Sequence, residues 1–221
     1  MKLFHPAINS CLDTETGICN LIIENKKFFR ECVLELKNQQ DGEEGRFILQ
    51  NAKGEAISTS SHLQIVTDPF SISLNQKNIL NKVIKNLEEE INSSPYEINL
   101  EKTIDLLSSY VRCAGNSLGI NLEFQRNSLD SILHALDIHV QVEDRTKLLG
   151  QLLDYMEFTV KSEEDIFIMV NLRSLFTSEE IEHFLSDCHS KELQIFFIEN
   201  CLYPYMHPAT SIIIDEDLCE L

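Results

Sequence analysis

The chain has 221 residues, 43% of them hydrophobic and 24% charged, which is enough to bury a core and excludes a disordered chain, a collagen repeat and a disulfide mini-protein. Lys plus Arg total 18 against 36 Asp plus Glu, a net charge of −18 that excludes a uniformly basic nucleic-acid coat but leaves room for a local basic patch. No run approaches the roughly 18 apolar residues of a membrane span, and residues 1–10 lack the apolar core of a signal peptide, so a cytoplasmic protein with no membrane partner is expected.

In chain order, residues 18–23 form an apolar, β-branched run that reads as a strand, and 26–37 place Phe29, Val33, Leu34 and Leu36 at helical spacing. A polar stretch with Gly42 and Gly45 stops that helix. Residues 46–49 and 56–58 flank Asn51-Ala52-Lys53-Gly54, where Gly54 can take the positive φ of a hairpin turn. A short strand over 63–67 ends at Asp68-Pro69, because proline removes a donor and restricts its predecessor.

The middle of the chain changes character. Residues 74–92 set Leu80, Val83, Ile84, Leu87 and Ile91 on one arc and Lys77, Lys82 and Lys85 on the opposite one, a long amphipathic helix closed by Ser93-Ser94-Pro95. A second helix runs over 98–113 with Gly115 as its positive-φ stop, and a third over 128–136. Alternation then returns. Ile138, Val140 and Val142 read as a strand, 146–158 as a helix, and 166–170 as a continuous apolar run of the kind a parallel sheet buries on both faces. Thr177 or Ser178 caps a helix over 179–188, and 193–198 and 211–214 are strands. The expected architecture is α/β: a head of mostly parallel sheet, residues 1–68 and 138–221, interrupted by an α-helical leg, residues 69–137.

Seven cysteines without a CxxC pair read as reduced thiols, and His183, Cys188 and His189 lack the fourth ligand of a zinc site. Gly115-Asn116-Ser117-Leu118-Gly119 has the GxSxG letters of a nucleophile elbow, but a helix rather than a strand precedes it, which favours a helix-to-helix loop. Neither GxxxxGK[ST] nor GxGxxG occurs, so ordinary nucleotide hydrolysis has no phosphate cradle. Asn121, Glu123, Gln125 and Asp130 are the oxygen donors grouped for a hard cation such as calcium. Only two are charged and EF-hand spacing is absent, so spacing alone favours a solvated loop, as it does for Asp215-Glu216-Asp217. The basic residues fall into groups: Lys26, Lys27 and Arg30; Lys53 at the hairpin tip; and Lys77, Lys82 and Lys85 on the leg. A single group reads as a solvated face, whereas a ring of identical subunits would line one channel with several copies.

Order and spacing over nearly the whole chain carry a family resemblance. Val66-Thr67-Asp68 is followed by Asn75, Leu80, Leu87-Glu88, Asn92 and Pro95; Leu122-Glu123 by Ala135-Leu136 and Ile138; and Ile166-Phe167-Ile168 by Asn171, Leu175, Thr177, Glu179, Phe197 to Glu199 and Ile214-Asp215-Glu216. In these features the chain resembles the DNA-end-binding ring proteins of type II-A CRISPR adaptation. The resemblance implies a head related to nucleotide-binding α/β folds without the catalytic loop, a helical leg, and a homotetrameric ring that passes double-stranded DNA ends through a basic hole. It also implies calcium at the legs, action beside the spacer integrase and the effector nuclease, and no enzymatic chemistry. Where the family carries an acidic string, this chain has Asn121, Glu123, Phe124 and Gln125, of which only Glu123 is acidic. Lys53 transfers most directly to the DNA-facing set, with Lys77, Lys82 and Lys85 beside it and Lys26, Lys27 and Arg30 next. The alternatives from other classes are a nucleotide- or metal-dependent phosphohydrolase on a P-loop-like fold and an acidic protein scaffold.

Overall fold

A computed structural model describes residues 1–15, 19–93, 97–123, 129–141, 148–203 and 211–221. These fall into two compact units, Met1–Ile72 with Asp144–Leu221, and Ser73–Glu143.

The first unit is built on two sheets. The elements in chain order are β1 (Lys2–Phe4), β2 (Leu12–Asp13), β3 (Asn20–Ile23), α1 (Lys26–Gln40), β4 (Ile48–Gln50), β5 (Ala56–Ile57), α2 (Thr59–His62) and β6 (Leu63–Val66), then a 3₁₀ turn over Pro69–Ser71. Past the second unit they continue as α6 (Leu148–Thr159), β7 (Ile166–Val170), a 3₁₀ turn over Leu172–Leu175, α7 (Ser178–Ser190), β8 (Gln194–Glu199) and β9 (Ser211–Ile214). Strands β6-β7-β8-β3-β9 form one sheet whose pairs are all parallel. Every residue of β7 is buried, as a strand covered on both faces requires. On one face Leu21, Ile23, Ile168, Phe196 and Ile212 meet α1 through Phe28, Cys32 and Leu36. On the other, Phe167, Met169, Ile195 and Phe197 meet α6 and α7 through Leu152, Met156, Ile181 and Phe184.

Local chemistry sets the helix ends. The Asn25 carboxamide oxygen accepts from the Phe28 N–H at 3.0 Å and starts α1. Thr177 and Glu180 form a reciprocal capping box at α7: the Thr177 N–H donates to the Glu180 carboxylate at 2.8 Å, and the Glu180 N–H donates back to Thr177 Oγ1 at 3.3 Å. The second sheet, β2-β1-β4-β5, is antiparallel and was not expected as a separate sheet, because β1 and β2 have three and two residues and carry no readable period. Its β4–β5 hairpin turns at Gly54, φ 79°, and is organised by Asn51, whose side-chain oxygen accepts from the Lys53 and Glu55 N–H groups at 3.0 Å each.

The second unit holds α3 (Lys77–Ser93), α4 (Glu97–Ser117) and α5 (Leu129–Ala135). Its core is Ile84, Leu129 and Leu133, with Leu80, Ile91 and Ile138 packed against them. Two expectations are corrected here. Residues 138–141 carry no strand, and Val142 lies outside the described residues. Instead the Asn75 carboxamide supplies both backbone partners of Val140, donating to its carbonyl at 3.0 Å and accepting from its N–H at 2.8 Å. Gly115 does not stop α4 but lies within it, and the positive φ, 71°, belongs to Gly119. A Cβ at position 115 would stand 2.7 Å from Leu122 Cδ1 and 3.0 Å from the Ile120 carbonyl, so any larger residue there requires Leu122 to move aside.

Candidate functional site

The sequence singles out cations, and the fold distributes them. Lys53 is exposed at the tip of the β4–β5 hairpin. The hairpin is held at the amino-terminal end of the parallel sheet, where Asn51 Nδ2 donates to Glu164 Oε1 at 3.1 Å, two residues ahead of β7. Lys26, Lys27 and Arg30 are exposed on the first turns of α1. Asn25, just before them, donates to the Glu216 carbonyl beyond β9 at 2.8 Å, which places them at the carboxyl end. The two groups therefore sit at opposite ends of the sheet and make no single patch. Lys27 also faces Glu31 at 3.8 Å.

In the helical unit Lys77 and Lys85 are exposed, whereas Lys82 is half-buried rather than on the fully solvated arc its spacing suggests. Lys85 lies 3.8 Å from Glu89. Among the described residues no carboxylate pairs with Lys53, Lys77, Lys26 or Arg30.

The oxygen donors set out for calcium fit the ion poorly. Asn121 and Glu123 are exposed, Gln125 lies outside the described residues, and Asp130 is turned to His134 at 3.3 Å within α5. Calcium takes six to eight oxygens, and among the described residues no three acidic, histidine or cysteine side chains are grouped to hold a metal. Ser117 is no nucleophile elbow: it ends α4 and its hydroxyl donates to the Cys113 carbonyl at 3.1 Å. Of the zinc candidates, Cys188 is buried while His183 and His189 are exposed, and burial pushes the Cys188 thiol up to about 12.

The carboxyl ends of β7, β8 and β3 form the corner where open α/β sheets commonly hold ligands. Here the chain passes from β3 to α1 through Glu24 and Asn25 alone, with no glycine, and Asn25 itself occupies the helix N-terminus that a phosphate would use. Beside it, Glu199 ends the apolar run of β8 and is fully buried. One of its oxygens accepts from the Arg173 N–H at 3.1 Å, and the Arg173 guanidinium reaches Asn20 Oδ1 at 3.1 Å and lies 4.6 Å above the Phe197 ring. Burial pushes the Glu199 carboxyl up to about 7 against the pull of the Arg173 N–H and charge. The corner is filled by the protein's own groups.

A second cluster, also missed from sequence, lies at the amino-terminal end. His62 Nδ1 is 2.8 Å from Asp165 Oδ1. Burial pushes the Asp165 carboxyl up, but hydrogen bonds from Lys161, His62 and Ser162 outweigh it and hold the group below the usual carboxylate range. The two residues are 103 apart, and no local spacing announces them. The acid closing an apolar run at Glu199 was the one readable signal.

A family model described as CRISPR-associated protein (Cas_Csn2) matches residues 39–218. The fold is also similar to that of the crystal structure of Stu0660 of Streptococcus thermophilus, with 14% sequence identity and a TM-score of 0.61, over 100% of this chain and 76% of that one. At that identity the structural likeness is one of fold.

Proposed function

The chain belongs to the Cas_Csn2 family of CRISPR-associated proteins, and from that premise we propose that it binds the ends of double-stranded DNA during spacer acquisition, as a homotetrameric ring with no chemistry of its own. The observation that carries this reading is an acidic chain, net −18, that keeps Lys53 and Lys77 exposed with no paired carboxylate among the described residues. Cations left free in such a chain are suited to phosphates. Repeated around a ring, Lys53 and Lys77 would neutralise phosphates without reading bases, and the acidic remainder would repel DNA elsewhere. Lys85 and Lys82 on α3, and Lys26, Lys27 and Arg30 on α1, extend the set.

Self-association is supported by α4, which exposes Leu106, Leu107, Tyr110 and Val111. The filled corner at Asn25 and Glu199 favours binding over nucleotide hydrolysis. The ring works in the cytoplasm, beside the spacer integrase and the effector nuclease. Among the described residues no helix is long and apolar enough to cross a membrane. Calcium enters as the ion implied by the family resemblance, and because Glu123 stands with so few donors, the test is run with and without it.

The test compares linear and covalently closed duplexes of one sequence over a salt series. Binding to linear DNA should fall steeply with salt, with a log–log slope on the order of −7 if four copies each contribute Lys53 and Lys77, and closed circles should load poorly. Lys53→Glu with Lys77→Glu should abolish retention. Equal loading of closed circles, or no binding at low salt with calcium present, overturns the reading.

A further inference from the structure

A cleft of about 680 Å³ opens on the α7 side of the parallel sheet, at its amino-terminal end. The volume is in the range of pockets that take drug-sized ligands, roughly 300–1,000 Å³. Its floor is apolar: Leu185 and Cys188 from α7, Leu193 from the α7–β8 turn and Ile195 from β8. Cys188 contributes packing rather than reactivity, because burial pushes its thiol up to about 12.

The rim is acidic. Glu15 after β2, Glu163 ahead of β7 and Glu192 in the α7–β8 turn all line the cleft and are exposed. None has a cationic partner among the described residues, and the described lining includes no lysine or arginine, its one basic side chain being the exposed His189. Three carboxylates around one opening attract a ligand of opposite sign. Among the described residues the rim carboxylates are not grouped to hold a metal ion, and a cation spread over a larger group suits them better. Cys188, Leu193 and Ile195 are largely enclosed already, so the floor asks that group for an apolar side chain against half-buried Leu185. A duplex is excluded on both counts, being uniformly anionic and without an apolar surface to offer.

We propose that this cleft docks a short segment of a partner protein in which apolar side chains are flanked by arginine or lysine. The apolar side chains cover Leu185 beside the edges of Leu193 and Ile195, and the cations lie against Glu15, Glu163 and Glu192.

The test uses the full chain, isotope-labelled, and an acetylated, amidated peptide alternating leucine and arginine as probe. Saturable amide shifts centred on Leu193, Gln194 and Ile195 are expected, and the same peptide with glutamate for arginine should produce none. Glu163→Lys with Glu192→Lys, both on exposed positions, should weaken the arginine peptide roughly tenfold with the melting temperature unchanged. If that variant misfolds, Glu192→Gln and a salt series replace it, since the affinity must fall as salt screens the rim. No shifts at ~1 mM peptide, equal binding of the glutamate peptide, or affinity indifferent to both charge and salt overturns the proposal.

Discussion

The two units solve the burial problem differently. In the α/β unit the chain covers both faces of its parallel sheet: β7 is buried throughout, and Phe167, Phe196 and Ile198 are fully enclosed. The helical unit gathers a small core around Ile84, Leu129 and Leu133 and leaves the α4 side chains Leu106 and Tyr110 at 67% and 79% exposure. A parallel sheet cannot leave a face open, because its crossovers place helices on it, whereas a helix can carry more apolar surface than its neighbours cover. The first unit closes both faces of its parallel sheet within one chain. The second presents surface that another molecule can complete.

The comparison breaks most sharply by emptying the first core. Phe196→Ala, at a residue with no exposure, should remove about 3–5 kcal/mol of stability, the transfer and cavity terms of a buried aromatic. Urea denaturation followed by circular dichroism measures it. A loss below about 1 kcal/mol would mean that the sheet is less tightly enclosed than its two helical layers indicate.

A smaller effect should come from the filled corner, and its sign is set by Glu199. An ordinary glutamate titrates near 4.5, and burial raises this carboxyl to about 7, so the folded protein holds its proton more tightly than the unfolded chain does. The contribution is therefore complete below pH 4.5 and is lost as pH rises toward 7. Glu199→Gln cannot ionise. Relative to the native protein, the variant should gain on the order of 2–3 kcal/mol between pH 4.5 and pH 8, read from denaturation curves over that series. His5 runs the other way: burial lowers its pKa, so the stability of its neutral form is present above 6.5 and fades as pH falls. Comparing the variant with the native chain at each pH cancels that background. A difference flat with pH would show that Glu199 stays ionised against Arg173.

Period and punctuation made the larger elements legible. The run 166–170 stands as β7, the helical spacing over 26–37 lies within α1, and Thr177 caps α7. Asn51 and Gly54 announced the hairpin that carries Lys53. What stayed hidden depends on contacts distant in sequence. The alternation of Ile138 and Val140 suggested a strand, but the Asn75 side chain, 65 residues away, takes the backbone groups a neighbouring strand would have used. Lys82 is half-buried, although its arc reads as solvated. Arg173 and Glu199 are 26 residues apart and meet only because β7 and β8 are neighbours. The acidic cleft gathers Glu15, Glu163 and Glu192 from three turns. No local pattern holds such a set.

The smallest expected effect on stability is at the surface the helical unit leaves open. Leu107→Ser with Tyr110→Ser changes side chains that are 54% and 79% exposed, and exposed substitutions of this kind cost less than about 0.5 kcal/mol each. In dilute solution the double variant should melt as the native chain does. Association should respond differently. If α4 completes its burial against another copy, the same two substitutions remove apolar area from both sides of each contact, because a two-fold interface repeats every change. Sedimentation velocity over a concentration series should then show the assembly shifted toward smaller species, with weakened DNA-end retention in the same samples. Unchanged assembly with an unchanged melt would show that α4 makes no contact between copies. A fall of several kcal/mol in the dilute melt would show instead that the chain itself covers this face, and the contrast between the two units would disappear.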